Sequence, residues 1–330
     1  VSSPEAESKG VQNLRVGEAH VGQRIDNFLT GRVKGVPKSH IYRVLRRGEV
    51  RVNKRRVKPG YRLQPGDMVR IPPLRTADSR EPGHAPRARL RALQSAILHE
   101  DARLLAVDKP AGLAVHGGSG LSFGLIEAMR QLRPGAELEL VHRLDRDTSG
   151  CLLLAKRRSA LRELHRLIRE GAIDKRYIAL LVGTLPYREV TVDAPLRRNT
   201  LRGGERVVRV DPKEGKPSQT VFRCMKSLGG LTLVEARLIT GRTHQIRVHA
   251  AHLGTPLAGD DKYGNEAVNR SLRTLGLRRL FLHASVLHFQ PSFSDTPLHI
   301  KAPLAAELEQ VLGRLAEAAE TGGMMQGENF

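Results

Sequence analysis

The chain has 330 residues, with 55 Lys+Arg against 34 Asp+Glu, a formal charge of +21. That length suits about two domains, and so large a positive charge calls for a polyanionic partner, nucleic acid above all. No run approaches the roughly 18 apolar residues of a membrane span, no apolar signal core opens the sequence, and the two cysteines, Cys151 and Cys224, are too few for a disulfide framework or a cysteine zinc site; the expected setting is a reducing cytoplasm with both thiols buried and inert.

Residues 1–12, rich in Ser, Glu, Lys and Gly, are expected to form a disordered tail. Residues 13–73 read as a first compact unit. "GQRIDNFLTGRV" sets Ile25, Phe28 and Leu29 on one helical face. "KSHIYRVLRR" gives a second helix from about Ser39, a good N-cap, with Ile41, Val44 and Leu45 as its stripe and Gly48 as its stop. "VRVN", "YRLQPGDMVRI" and the Gly66-Asp67 turn read as short strands. Residues 38–62 hold ten basic residues and one acid, Glu49, so +9 of the +21 is focused in one window. Arg43, Arg46, Arg47, Lys54 and Arg55 are the expected polyanion contacts there.

Residues 72–92 contain four Pro, many charges and no apolar period. This pattern predicts a flexible basic linker, bounded at residues 74–93, between the first unit and a second spanning residues 94–316. "ILHEDARLLAVDKPAG" reads as a strand pair around an Asp turn. "VHGGSG" is a Gly-rich turn suited to presenting backbone amides to a phosphate, but no "GK[ST]" follows, so it is not a nucleotide P-loop. "CLLLAK" is a buried strand. "SALRELHRLIREG" is an amphipathic helix with Leu161, Leu164 and Leu167 aligned. "KRYIALLVGTL", "TVFRCMKSL", "LTLVEARLI" and "FLHASVLHF" are further strands. "RTHQIRVHAAHLG" is a helix ending at Gly254, and "LAAELEQVLGRLAEAA" closes the unit before a tail at 317–330. Strands and helices interleave without a helix after every strand, which favours an α+β fold with a mixed, largely antiparallel sheet.

Asp145 stands in the polar loop "HRLDRDTSG", just before the buried strand. Such a strand can hold a loop rigidly, and Arg143 and Arg146 beside it favour an ionised, nucleophilic carboxylate. Spacing alone favours a turn-capping Asp over a catalytic one; Asp147 is the better turn-capper, which leaves Asp145 less explained. In "TGRTHQIRVHAAH", Arg247 suits bidentate pairing with a carboxylate and Arg242 suits phosphate. His249 and His252 are three apart, but no carboxylate or Cys stands at ligand spacing, so no metal is expected. Tyr177, one of 5 Tyr in a chain without Trp, lies between basic residues and an apolar strand. It suits either a stacking platform for an extruded base or an ordinary strand position.

Taken together, "HRLDRDTSG", "KRYIAL", "GRTHQIRVH", "GDDKYG" and "LHASVLHFQP" resemble, in order, the motifs of the RluA-type RNA pseudouridine synthases, over roughly residues 98–303. The first unit resembles the alpha-L RNA-binding module known from a ribosomal small-subunit protein. "VHGGSGLSFG" and "GKPSQT" bring the chain nearest to family members acting on large-subunit rRNA. The resemblance implies a pseudouridine synthase catalytic domain after a small ribosomal S-four-like RNA-binding domain, and a reaction without a cofactor. It implies Asp145 as the catalytic carboxylate, by attack on the anomeric carbon, addition to the uracil ring, or sugar-proton abstraction to a glycal. It pairs Asp145 with Arg247, stacks Tyr177 on the target base, places Arg143 in the gap left by the flipped nucleotide, and sets Ile246 and Leu282 as pocket walls, with Arg242 and His244 on the RNA. The expected partner is 23S rRNA near the peptidyl transferase centre, in a pre-ribosomal particle or free, bound by a cytoplasmic monomer with no membrane contact. Two other functions compete: an RNA-binding protein without catalysis, which leaves the second unit's motifs unexplained, and a base or glycosyl hydrolase, which needs two carboxylates about 5–10 Å apart; Asp145 and Asp147 are its candidates by proximity, but Arg247, Tyr177 and the ordered motifs fit the isomerase better.

Overall fold

The computed structural model describes residues 10–33, 36, 38–74, 85–117, 123–200 and 206–320. The chain divides into two compact units, Val1–Gly83 and His84–Phe330.

The first unit contains β1 (Gln12–Arg15), α1 (Ile25–Arg32), α2 (Lys38–Arg47), β2 (Arg51–Val52), β3 (Arg55–Arg56) and β4 (Met68–Ile71). Its antiparallel sheet runs β1-β4-β2-β3. The two apolar stripes meet over it: Ile25, Phe28 and Leu29 share one core with Ile41, Val44, Leu45, Val52 and Val69. Gly48 ends α2 at φ 72°, a conformation that costs other residues a Cβ clash. The β2–β3 turn is Asn53-Lys54, both at positive φ (49° and 65°), as a tight two-residue hairpin requires. Lys54 therefore stands at a turn tip, and it is exposed together with Arg43, Arg46, Arg47 and Arg55.

The second unit begins earlier than its composition predicts. Residues 75–84 of the expected linker lie outside the described residues, but its far end is α3 (Arg87–Ser95). Leu93 and Ala85 are buried in this unit's own core. Leu90, three residues before Leu93, packs half-buried against the same core; two leucines among several Arg make too short a stripe for periodicity to register. Two tail boundaries move for similar reasons. Gln12 already pairs in β1, opposite Ile71, and the last helix runs to Glu320, beyond residue 316. The second helix of the first unit begins at Lys38, ahead of Ser39.

After α3 come β5 (Ile97–Glu100), β6 (Leu104–Lys109), α4 (Leu125–Leu132), β7 (Glu139–Leu140), β8 (Ser149–Ala155), α5 (Arg158–Arg169), β9 (Asp174–Val182), β10 (Glu189–Asp193), β11 (Leu196–Thr200), β12 (Arg206–Val210), β13 (Gln219–Leu228), β14 (Leu231–Leu238), α6 (Gln245–His252), α7 (Glu266–Thr274), β15 (Leu282–Phe289), β16 (Leu298–Lys301) and α8 (Ala306–Glu320). A ten-stranded sheet follows the order β10-β13-β14-β9-β15-β8-β6-β5, with β16 on β15 and β7 on β8. Its ladders are antiparallel except for the short parallel pairing of β15 with β8. β11 and β12 form a separate hairpin.

Every residue of β8 is buried, and the strand's period of two divides them between the faces. Leu152 and Leu154 enter one core with Tyr177, Ile246 and Leu282. Cys151, Leu153 and Ala155 enter another beneath α5, whose buried residues are Ala160, Leu164 and Leu167. Burial pushes the Cys151 thiol up to about 12, consistent with an inert core residue. Cys224 is half-buried rather than buried, and it stands at a register shift of the β13–β14 ladder between Cys224 and Lys226.

Candidate active site

The polar loop ahead of β8 is pinned by its backbone. Lys109, fully buried at the end of β6, donates to the carbonyls of Pro110, Leu113 and Arg146, each at 2.9 Å. Burial, with Arg279 adding to it, pushes this lysine down to about 7. Its three acceptors match the three N–H bonds of an ammonium, so the charged form is the one that fits the cage. Gly112 N–H also donates to the Arg146 carbonyl at 2.8 Å. On the far side, Arg279 donates to Ser149 Oγ at 2.7 Å, and Ser149 Oγ bonds His283 Nδ1 at 2.9 Å. Gly150 closes the loop at φ 107°, where a Cβ would run into the Ala284 carbonyl of β15. Only glycine permits that approach, and with it the parallel ladder that fixes the loop against the sheet.

His142, at the start of the loop, accepts from Leu153 N–H through Nε2 at 3.2 Å. Burial, helped by the charge of Lys175, pushes its imidazole down to about 4, so the ring is neutral in the fold. A histidine whose value is depressed from 6.5 contributes stability above pH 6.5 and loses it as pH falls through about 4. The expected loss is on the order of 3 kcal/mol. Denaturation midpoints should drop across that window, and His142→Gln should flatten the drop; an equal drop in the variant would assign it to other groups.

Asp145 sits half-exposed at the loop's apex, over the apolar core that contains Leu144, Tyr177, Ile246 and Leu282. Two cationic or potentially cationic side chains face its Oδ2: Arg247 Nη1 and His244 Nε2, each at 3.8 Å. Tyr177 is buried at 8% exposure in β9. Burial, and next the Asp145 charge, push its phenol well above the usual tyrosine value, so it remains protonated. Asp145 is thus close enough to Tyr177 for its charge to act on the phenol and faces Arg247 Nη1, while Ile246 and Leu282 belong to the same apolar core as Tyr177.

The pairing of Arg247 departs from expectation. Its bidentate fork is spent on Asp260, with Nε and Nη2 each 2.7 Å from a carboxylate oxygen. Asp260 is fully buried and also accepts from the backbone N–H groups of Lys262 and Tyr263. Burial alone would raise this carboxyl; the Arg247 fork and the backbone donors outweigh it and hold it below the usual range. Only Nη1 is left to address Asp145. Arg247 also lies over the Tyr263 ring, 5.0 Å from its centroid.

Asp147 departs too. It bonds Arg146 Nε at 3.2 Å on the surface, while the turn itself is closed by Thr148 N–H donating to the Asp145 carbonyl at 3.2 Å. His249 is consumed by structure, its ring nitrogens 2.9 Å from Thr220 Oγ1 and the Ala194 carbonyl. Among the described residues no His, Cys, Asp and Glu cluster suits a metal ion. Arg143 and Arg242 are exposed, the latter donating to the Pro217 carbonyl at 3.2 Å. The Gly-rich turn at 116–120 lies largely outside the described residues.

Lys109, Asp260, Tyr263, Arg279 and Gln245 escaped sequence reasoning. Gln245 is buried and uses all of its amide, accepting from Thr240 Oγ1 and Arg242 N–H and donating to Thr220 Oγ1 and the Gln219 carbonyl. It thereby seats the N-terminus of α6, which carries His244 and Arg247. The "GDDKYG" segment was the one available signal for Asp260 and Tyr263.

A model of the RNA pseudouridylate synthase family matches residues 103–252, and an S4 domain model matches residues 23–69. Ribosomal large subunit pseudouridine synthase C of Pasteurella multocida (strain Pm70) is 52% identical over 94% of this chain and 95% of its own. The protein of that name from Escherichia coli (strain K12) is 51% identical over 94% and 99%. Among solved structures, human RNA pseudouridylate synthase domain containing 4 superposes with a TM-score of 0.58 at 29% identity, covering 69% of this chain and 95% of that one. Human RNA pseudouridylate synthase domain containing 1 gives 0.54 at 26% identity, over 67% and 94%.

Proposed function

The chain belongs to the RluA-type RNA pseudouridine synthases, and from that premise we propose that it isomerises uridine to pseudouridine in large-subunit rRNA with Asp145 as the catalytic carboxylate. The observation that carries this reading is the placement of Asp145 on a pinned loop, with Arg247 and His244 facing the same carboxylate oxygen at 3.8 Å. Both address Oδ2, which leaves Oδ1 for the nucleotide. The reaction exchanges the C1′–N1 bond of uridine for a C1′–C5 bond, while one proton leaves C5 and one arrives at N1. Electrons and atoms balance within the substrate, so the reading requires no cofactor. A uridine must leave its stack to reach this carboxylate, at a cost of a few kcal/mol. The exposed Arg143 guanidinium is suited to fill the space it leaves, and the Tyr177 ring to receive the base. A glycosidase would need a second carboxylate acting across the bond. Asp260, one acid beside the site, is fully buried in the Arg247 fork and unfit for that role, and Asp147 is paired with Arg146 on the surface.

Tyr177→Phe should keep base binding, because the ring face remains, and slow turnover if the hydroxyl moves a proton. Tyr177→Ala should also weaken binding by roughly 1–3 kcal/mol. A fully active Phe variant in single-turnover assays would confine Tyr177 to stacking.

The first unit adds affinity by tethering, in this reading, through Arg43, Arg46, Arg47, Lys54 and Arg55. Each phosphate contact releases counterions, so neutralising Arg43, Arg46 and Arg47 to Gln should flatten the slope of log affinity against log salt by up to about 3. The rate at saturating RNA should be unaffected. An unchanged slope would move the RNA-binding charge elsewhere. Uridines near the peptidyl transferase centre, approached by a monomer, are the sites this proposal puts first. The deciding experiment maps pseudouridine in large-subunit rRNA from cells with and without the protein. Identical maps would overturn the proposal.

A further inference from the structure

His244 is the only described residue at the site, other than glycine, with a left-handed backbone, at φ 54°. Such a conformation costs a residue of this kind on the order of 1 kcal/mol or more and persists where the surroundings over-determine it. Here they do. Its carbonyl accepts from Val248 N–H in the first turn of α6 at 2.9 Å, and its ring packs edge-on against Tyr263, centroids 5.6 Å apart. Nδ1 lies 2.8 Å from the Tyr263 hydroxyl. That same hydroxyl oxygen accepts the backbone N–H of Val208, on β12, at 3.0 Å. Since Val208 can only donate, the phenol's own proton is free for an acceptor. Among the described residues, the acceptor within its reach is Nδ1. A neutral imidazole that accepts at Nδ1 carries its proton on Nε2, the atom that faces Asp145 Oδ2 at 3.8 Å.

We propose that His244 is a positioning residue for Asp145, held in its Nε2–H tautomer by the Tyr263 hydroxyl so that it presents an N–H to the carboxylate. The chain of contacts runs Val208 N–H, Tyr263 OH, His244 Nδ1, His244 Nε2–H, Asp145 Oδ2, and it ties the β11–β12 hairpin to the reacting group. At 3.8 Å the last link is longer than a hydrogen bond; in ligand-free sites such links are commonly long and tighten with substrate. Burial, the largest influence, disfavours a charged ring, and Arg247 and Lys262 act in the same sense, against Asp145 and Asp260. The net result is a lowered value, which agrees with a neutral donor. The left-handed backbone aims the ring inward from the N-terminus of α6. The role differs from that of Arg247, whose fork is committed to Asp260. It rests on the reading of Asp145 as the catalytic carboxylate.

The test uses the full chain and two independent readouts. The first is the tautomer, from long-range nitrogen–proton correlation spectra of histidine-labelled protein at neutral pH, with the His244 signals assigned by their loss in His244→Gln. The expected result is Nε2–H in the parent and a mixed tautomer in Tyr263→Phe. The second is the single-turnover rate on a large-subunit rRNA transcript. His244→Ala should lower it by about 10- to 100-fold. His244→Gln, whose amide N–H reaches the place of Nε2, should recover most of that loss. His244→Asn, which tolerates a left-handed backbone better but falls short of Asp145, should not. An Nδ1–H tautomer in the parent overturns the proposal. So does rescue by Asn rather than Gln, which would make the position a matter of backbone strain alone. A parent that forms no pseudouridine overturns the enzymatic reading instead, and the tautomer spectra still decide the relay.

Discussion

Asp145→Asn is expected to lower pseudouridine formation by at least about 10⁴-fold in single-turnover assays, while leaving rRNA affinity close to that of the parent. The substitution preserves the shape of the side chain and removes its negative charge. The loop should not move, because it is held through backbone and neighbouring groups: the Arg146 carbonyl by Lys109 and Gly112, and Ser149 by Arg279 and His283. Binding should persist for the same reason, with the basic face of the first unit untouched. Residual turnover within about tenfold of the parent would remove Asp145 from the chemistry.

The second large effect is expected at the Arg247–Asp260 pair. Arg247→Ala strands a buried carboxylate and should cost about 3–5 kcal/mol of stability, with a severe loss of rate. Arg247→Lys should rescue neither well, because a point ammonium cannot reproduce the two parallel bonds to Asp260 while reaching Asp145. Arg247→Met combined with Asp260→Leu separates the two roles. Removing both charges should restore much of the stability, since no buried charge is left without a partner. The rate should stay low, because Nη1 no longer faces Asp145. Thermal midpoints measured beside single-turnover rates give the answer. If the double variant recovers rate together with stability, Arg247 is scaffold only.

Those two predictions also mark what sequence could and could not say. Asp145, Tyr177, Arg247, Ile246 and Leu282 could be nominated because each stands inside a short, ordered motif, and the apolar run 151–155 of β8 announced a rigid support for the loop. The bidentate partner of Arg247 was not legible. Thirteen positions separate Arg247 from Asp260, and nothing in their spacing says which of two nearby acids takes the fork. Asp147 was misread for a related reason: a turn can be closed by a backbone N–H, as Thr148 does, which no side-chain pattern records. Lys109 looked like one more basic residue in a basic chain; its role depends on three carbonyls brought together by the fold. The helix α3 was hidden because Pro and Arg dominate its segment and only Leu90 and Leu93 give it an apolar face. The antiparallel character of the sheet was readable from the irregular alternation of strands and helices, but the parallel contact of β8 with β15 was not, since it depends on a glycine that lets two backbones touch.

That parallel contact also sets a schedule. Ser149 meets His283 across 134 positions of sequence, and Asp260 and Tyr263, which seat Arg247 and His244, lie in the same late stretch. During synthesis, at roughly 5–20 residues per second, the loop with Asp145 leaves the ribosome on the order of ten seconds before the segments that complete its surroundings. The basic first unit emerges before either of these, able to hold RNA while no reaction is yet possible. On the reading of Asp145 as the catalytic carboxylate, attachment to RNA precedes catalytic competence as the chain is made, and a chain truncated before β15 is expected to bind RNA without modifying it.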